Sequence, residues 1–113
     1  MAYDQGLAER IREHVPKAVE KKMFGGIGWM EQGNLVVGLM AEGSMSDLDA
    51  IIVRCRSEET AQVLTEPGVR PFEQRGKAMK GWVLVEAEAV AEDPELKAWI
   101  ERSRAFVRTL PAK

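Results

Sequence analysis

The sequence has one cysteine, Cys55, and one histidine, His14. A single cysteine forms no internal disulfide, which sets aside the small disulfide-stapled folds and makes the cytoplasm the expected compartment. With one residue of each type there is no Cys/His pair at ligand spacing, and no metal site is expected. No apolar run approaches the roughly 18 residues that a membrane-spanning helix needs, so no membrane contact is expected. The opening Met1-Ala2-Tyr3-Asp4-Gln5-Gly6 carries neither a basic region nor an apolar one, and no secretory signal is expected. An excess of one charge is missing too. Lys and Arg number 16 against 18 Asp and Glu, a formal charge of −2, which excludes a chain-wide basic field of the kind that wraps nucleic acid.

What is there reads as a globular domain. The 113 residues, 45% of them hydrophobic, suit a single domain spanning 1–113. Near the start, Leu7, Ile11 and Val15 recur every four residues, with Arg10, Arg12 and Glu13 on the other side. That spacing predicts a helix, with Asp4 as its N-cap and Pro16 at its end. Short apolar runs follow at Met23-Phe24, Ile27–Met30 and Leu35–Met40, separated by Gly25-Gly26 and Glu31-Gln32-Gly33-Asn34. Such runs between glycine turns predict an antiparallel meander, in which Ile27 and Trp29 share a face, and Leu35, Val37 and Leu39 share a face.

The small polar stretch 41–47 reads as a loop, and Ile51-Ile52-Val53-Arg54-Cys55 as a strand. Ser57 is expected to cap a short helix that Pro67-Gly68 stops. Residues 69–81 read as irregular, Trp82–Val85 as a strand with Glu86 and Glu88 alternating beyond it. Asp93-Pro94 opens the last helix as N-cap and first-turn proline, and Leu96, Trp99, Ile100, Phe106, Val107 and Leu110 form its apolar stripe. The expected fold is α+β: an antiparallel sheet of about five strands flanked by N- and C-terminal helices, in the order α-β-β-β-β-α-β-α.

Catalytic groupings are weak. Cys55 shares the strand parity of Ile51 and Val53 and reads as a small buried hydrophobe. His14, near a helix end, suits the dipole there, and a Cys–His couple would still need a third orienting group. The pairs Asp47/Asp49 and Glu86/Glu88 are spaced to share a proton, but surface carboxylates are what such chains mostly carry. Gly25-Gly26-Ile27-Gly28 lacks the spacing of a phosphate loop and reads as backbone geometry. No catalytic residue and no cofactor is assigned.

The strongest site signal is basic. Arg70, Arg75, Lys77 and Lys80 crowd a segment with one acid, Glu73, beside Phe72 and Trp82, and Arg54 and Arg56 share a strand face. If that strand lies near the segment, six cations converge, a patch able to hold a phosphate, a nucleic-acid backbone or an acidic partner. The competing reading is solubility and edge protection. Trp29, Trp82 and Trp99 could stack on bases, though at least two of them sit at core positions.

The same residues carry a family pattern. The opening helix Leu7-Ala8-Glu9-Arg10-Ile11-Arg12, the element Lys22-Met23-Phe24-Gly25-Gly26, the Gly33-Asn34 turn, Val53-Arg54, Pro67-Gly68, Arg70-Pro71, the element Met79-Lys80-Gly81, Trp99 and the run Ala105–Pro111 resemble the N-terminal domain of the TfoX/Sxy family of competence regulators. The resemblance covers nearly the whole chain. It implies a compact α+β domain, no catalytic residues, and a part in regulating competence genes through protein contacts with the transcription machinery, including the cyclic AMP receptor protein.

Three functions follow. The first is a non-enzymatic regulatory domain that binds a protein partner through Arg54 and the 70–80 segment, with direct nucleic-acid contact left open. The second is a small enzyme or accessory domain that binds a phosphorylated or anionic ligand. The third is a homodimer formed through exposed Met30, Met40 or Met79.

Overall fold

A computed structural model describes residues 5–23, 26–39, 50–74 and 76–112. Helix α1 (Gln5–His14) leads into strands β1 (Val19–Met23), β2 (Gly26–Glu31), β3 (Asn34–Leu39) and β4 (Ala50–Arg54). A 3-10 turn (Ser57–Glu59) and the short helix α2 (Thr60–Val63) precede β5 (Val69–Gln74) and β6 (Lys77–Glu86). A second 3-10 turn (Ala87–Val90) precedes α3 (Asp93–Val107). Among the described residues the sheet has six strands in the order β1-β2-β3-β4-β6-β5, and every pairing is antiparallel. The α+β fold expected from the sequence is therefore present, with one strand more.

The additional strand is β5, in the segment that reads as irregular. Its sequence, Val-Arg-Pro-Phe-Glu-Gln, interrupts alternation with a proline. Proline cannot donate to a ladder, and β5 lies at an edge of the sheet, where that loss is tolerated. The other edge is β1, whose Glu20, Lys21 and Lys22 are exposed. Charges on an edge strand discourage pairing with another chain.

The helices lie on one face. Leu7, Ala8, Ile11 and Val15 of α1 and its end join Leu96, Trp99, Ile100 and Val107 of α3 over Ile27, Trp29, Val37, Leu39, Ile51, Val53, Val83 and Val85 of the sheet. Fully burying one such large side chain is worth about 1.5–3 kcal/mol, so this layer is the main source of stability. Alternation placed Ile27 with Trp29 and Ile51 with Val53 on this face. It misplaced Leu35: the β2–β3 register shifts between Trp29 and Met30, and Val36 rather than Leu35 joins the helix-side core. One extra residue in a strand exchanges the faces beyond it. The β2–β3 loop itself is Gln32-Gly33, with φ of 54° and 81°, the two left-handed residues that a tight two-residue hairpin requires.

The opposite face carries a second, smaller cluster of Ala50, Ile52, Phe72 and Leu84, with Trp82 packed on it. Ser103, on the buried side of α3, ties the helix to the sheet. It donates to the Val36 carbonyl and accepts the Arg54 backbone N–H at 3.1 Å.

Several helix-end expectations change. Asp4 lies outside the described residues. The turn at Ser57 carries no side-chain cap, and Thr60 supplies the local side-chain bonds instead, because its hydroxyl lies within reach of the Arg56 carbonyl at 3.2 Å. Glu92 occupies the cap position of α3, so Asp93 falls inside the helix, and its carboxylate turns to α1, where it meets Arg10 at 3.5 Å and His14 Nε2 at 3.1 Å. Glu88 does not extend the strand but sits in the 3-10 turn.

Candidate functional site

A bulge in β6 shapes the candidate site. Between the Pro71–Val83 and Glu73–Ala78 pairs, β5 advances two residues while β6 advances five. The slack is taken up around Met79-Lys80-Gly81. Gly81 adopts φ +88°, and a Cβ there would stand 3.3 Å from the Cys55 carbonyl and 3.4 Å from Ser57 Oγ. A residue other than glycine would carry both left-handed strain and a tight contact. The bulge is pinned from two sides. Gly81 N–H donates to Thr60 Oγ1 at 2.8 Å, and its carbonyl accepts the Cys55 N–H at 3.0 Å.

This pinning draws the first half of β6 against the turn at 57–59 and helix α2, and leaves a groove between them. Its volume is about 390 Å³, and its walls include Thr60, Ala61, Leu64, Pro71, Met79 and Trp82, with Lys80 and Glu58 at the polar end. Met79 is 37% exposed, one of the large apolar side chains left open to solvent. Lys77 and Lys80 are exposed alongside it.

A second groove, of about 400 Å³, lies between the β4 end, α2 and α3. Arg54, Arg56, Arg102, Glu59 and Glu66 are among the residues that line it. The Arg54 guanidinium stands 4.4 Å over the Trp82 ring and 5.3 Å over the Phe106 ring, and Arg56 stands 5.7 Å over Phe106. Rings at these distances attract a cation through their quadrupole. Arg102 lies 4.2 Å over Trp99 and holds Glu66 by two bonds of 2.9 Å. Those bonds and its charge keep the Glu66 carboxyl below its ordinary value. Burial lowers the Arg54 pKa and raises that of the Cys55 thiol.

The five of the six cations that are described do not share one groove. Arg54 belongs to the second groove and Lys80 to the first. Arg70 is drawn to Glu86, 3.6 Å away. Lys77, exposed at the start of β6, lines neither groove itself, and Arg75 lies outside the described residues. Strand pairing separates them: Arg70 faces Leu84 and Arg54 faces Trp82 at different positions along β6. His14 and Cys55 have different partners, Asp93 for the first and the Thr60 hydroxyl at 3.7 Å for the second. Among the described residues no three His, Cys, Asp or Glu side chains are grouped to hold a metal ion. Asp47, Asp49 and Met40 lie outside the described residues.

Of the family-motif residues, Lys22 is exposed on β1, the Met23 backbone pairs with buried Gly26, and Phe24 and Gly25 fall outside the described residues. Trp29 and Trp99 are core residues, while Trp82 stands half-buried between the grooves. Sequence reading missed Thr60, Phe106 and Arg102 as site residues. Phe106 reads as core because it falls on the apolar stripe of α3, yet its ring is half-buried at the groove.

The model of the TfoX N-terminal domain family matches residues 10–107. No curated protein matches the chain. In structure the chain is similar to a protein from Pseudomonas syringae solved by crystallography at the Northeast Structural Genomics Consortium. The TM-score is 0.62 and the identity 17%, over 88% of this chain and 93% of that one. At that identity the likeness speaks for the fold alone. No described helix is long and apolar enough to cross a membrane.

Proposed function

This chain belongs to the TfoX N-terminal domain family, and on that premise we propose that it is a non-enzymatic, competence-regulator-like domain that binds a partner protein. The observation that carries the reading is the groove made by the β6 bulge. Met79-Lys80-Gly81, an element of the family pattern, builds a surface rather than core: Met79 is exposed at 37%, in a groove with Ala61, Leu64, Pro71 and Trp82. Exposed Lys77 and Lys80 stand beside it. An apolar centre with a charged rim is the usual anatomy of a protein-binding patch, and its charge suits a partner with an apolar anchor flanked by acids.

The test titrates the labelled chain with purified cyclic AMP receptor protein, the partner that the family resemblance names, and separately with short DNA. Saturable binding to the protein is expected, weakened by Met79→Asp and by the Lys77→Glu/Lys80→Glu pair while circular dichroism and melting stay unchanged. Equal binding by the variants overturns the groove as the contact. DNA binding that falls with salt and with the lysine changes would assign the same surface to nucleic acid instead.

A further inference from the structure

The second groove has a feature the protein-contact reading does not use. Arg54 and Arg56 both face Phe106, and among the described residues neither forms an ion pair. The Arg54 Nε is buried and has no hydrogen-bond partner. Arg102 in the same groove differs, since that guanidinium has both a ring beneath it and a bidentate carboxylate. Arg54 has the rings and lacks the anion. A cation withdrawn from water without a counter-charge is costly, and a buried N–H left unbonded adds to the cost.

We propose that the groove between β4, α2 and α3 binds the oxyanion of a small ligand, a carboxylate or phosphate ester held in the fork of Arg54 with Arg56 as second contact. The planar guanidinium matches either oxyanion with two parallel N–H bonds. Its orientation is set in advance by Trp82 and Phe106, and its position by the Ser103 hydroxyl, which accepts the Arg54 backbone N–H. Pre-set donors lose little freedom on binding. The volume of about 400 Å³ falls in the range of small-molecule sites, roughly 300–1,000 Å³. Glu59 and Glu66 line the same groove. They would repel the successive phosphates of a nucleic acid while leaving room for a single oxyanion at Arg54. This site is separate from the Met79 groove, and either can stand without the other.

The experiment is a nuclear magnetic resonance titration of the full chain with inorganic phosphate, and in parallel with acetate, at an ionic strength held constant with chloride. The Nε–Hε signal of Arg54 and the indole signal of Trp82 are followed. Saturable shifts centred on these two signals are expected. Arg56→Gln, an exposed position that leaves folding intact, should weaken the affinity about tenfold, as loss of one charge-assisted contact does. Arg54→Lys should weaken it as well, since it keeps charge and loses the fork. Glu59→Gln should strengthen it. Arg70→Gln, which touches Glu86 elsewhere, should leave it unchanged. Saturation by phosphate alone would assign phosphate esters, by acetate alone carboxylates, and each supports the site. Three results overturn it: shifts reproduced by chloride, unaltered affinity in Arg56→Gln, or an oligothymidylate that moves the same signals at far lower concentration than phosphate.

Discussion

The hydroxyl of Thr60 accepts the buried N–H of Gly81 at 2.8 Å and donates to the Arg56 carbonyl at 3.2 Å. One side chain thus joins the β6 bulge, beside the Met79 groove that it lines, to the turn that carries Arg56, a residue of the second groove. Replacing it with valine keeps the shape and removes both bonds. Leaving a buried donor unmade costs about 1–3 kcal/mol. Thr60→Val should lower the urea unfolding free energy by that amount, and Thr60→Ser should recover most of it.

Gly81 and Gly76 separate two causes of glycine preference. Both have positive φ, 88° and 80°. A Cβ at Gly76 meets nothing within 4 Å, whereas at Gly81 it meets the Cys55 carbonyl at 3.3 Å. Left-handed backbone costs about 1–2 kcal/mol for an L-residue. Gly76→Ala should be destabilised by about that much and Gly81→Ala by more. Gly76→Asn should be close to neutral, because asparagine tolerates the left-handed region. Equal melting losses for the two alanine variants would remove the packing part of the argument.

Ser103 is fully buried and bonds two strands at once, at Val36 and Arg54. Ser103→Ala creates almost no cavity, so its effect reads the hydrogen bonds. A loss of about 1–3 kcal/mol is expected in denaturant titration. Amide exchange at Arg54 should speed up more than at Ile51, whose own pairing with Val85 and Leu39 is untouched.

Arg102 holds the folded Glu66 pKa below its ordinary 4.5, chiefly through its hydrogen bonds. Arg12 does the same for Glu20. A carboxylate with a depressed folded pKa contributes stability that is complete above the unfolded value and is withdrawn as pH falls through the folded one. Glu66 is 38% exposed, so screening keeps the contribution within about 0–1 kcal/mol. Glu66→Gln should therefore be slightly less stable than the parent at neutral pH. The difference should shrink as the pH is taken well below 4.5, and added salt should shrink it as well. A difference that is constant with pH would mean that the pair contributes packing rather than charge.

Much of the fold was legible because burial has a period. The four-residue spacing of Leu7, Ile11 and Val15 and the alternation of Ile51, Val53 and Cys55 marked a helix and a strand and told which side of each is covered. Lys77, Lys80 and Arg54 could be marked as exposed or half-exposed cations near a strand, and Met79-Lys80-Gly81 as a family element. Where period fails, reading fails. Pro71 hid β5, one extra residue moved Leu35 off the helix-side core, and the five-against-two advance opposite Phe72 left no trace in local composition.

By itself the sequence determined the class of fold, the helix-covered face and the family, since local spacing and short motifs depend on neighbours a few residues apart. Tertiary structure alone decided which charges meet. Arg70 went to Glu86 and Arg102 to Glu66, while Arg54 was brought over Trp82 and Phe106, residues 28 and 52 positions away along the chain. Coulomb and ring contacts act over a few ångströms of space, and strand register, not sequence distance, sets which side chains come within that reach.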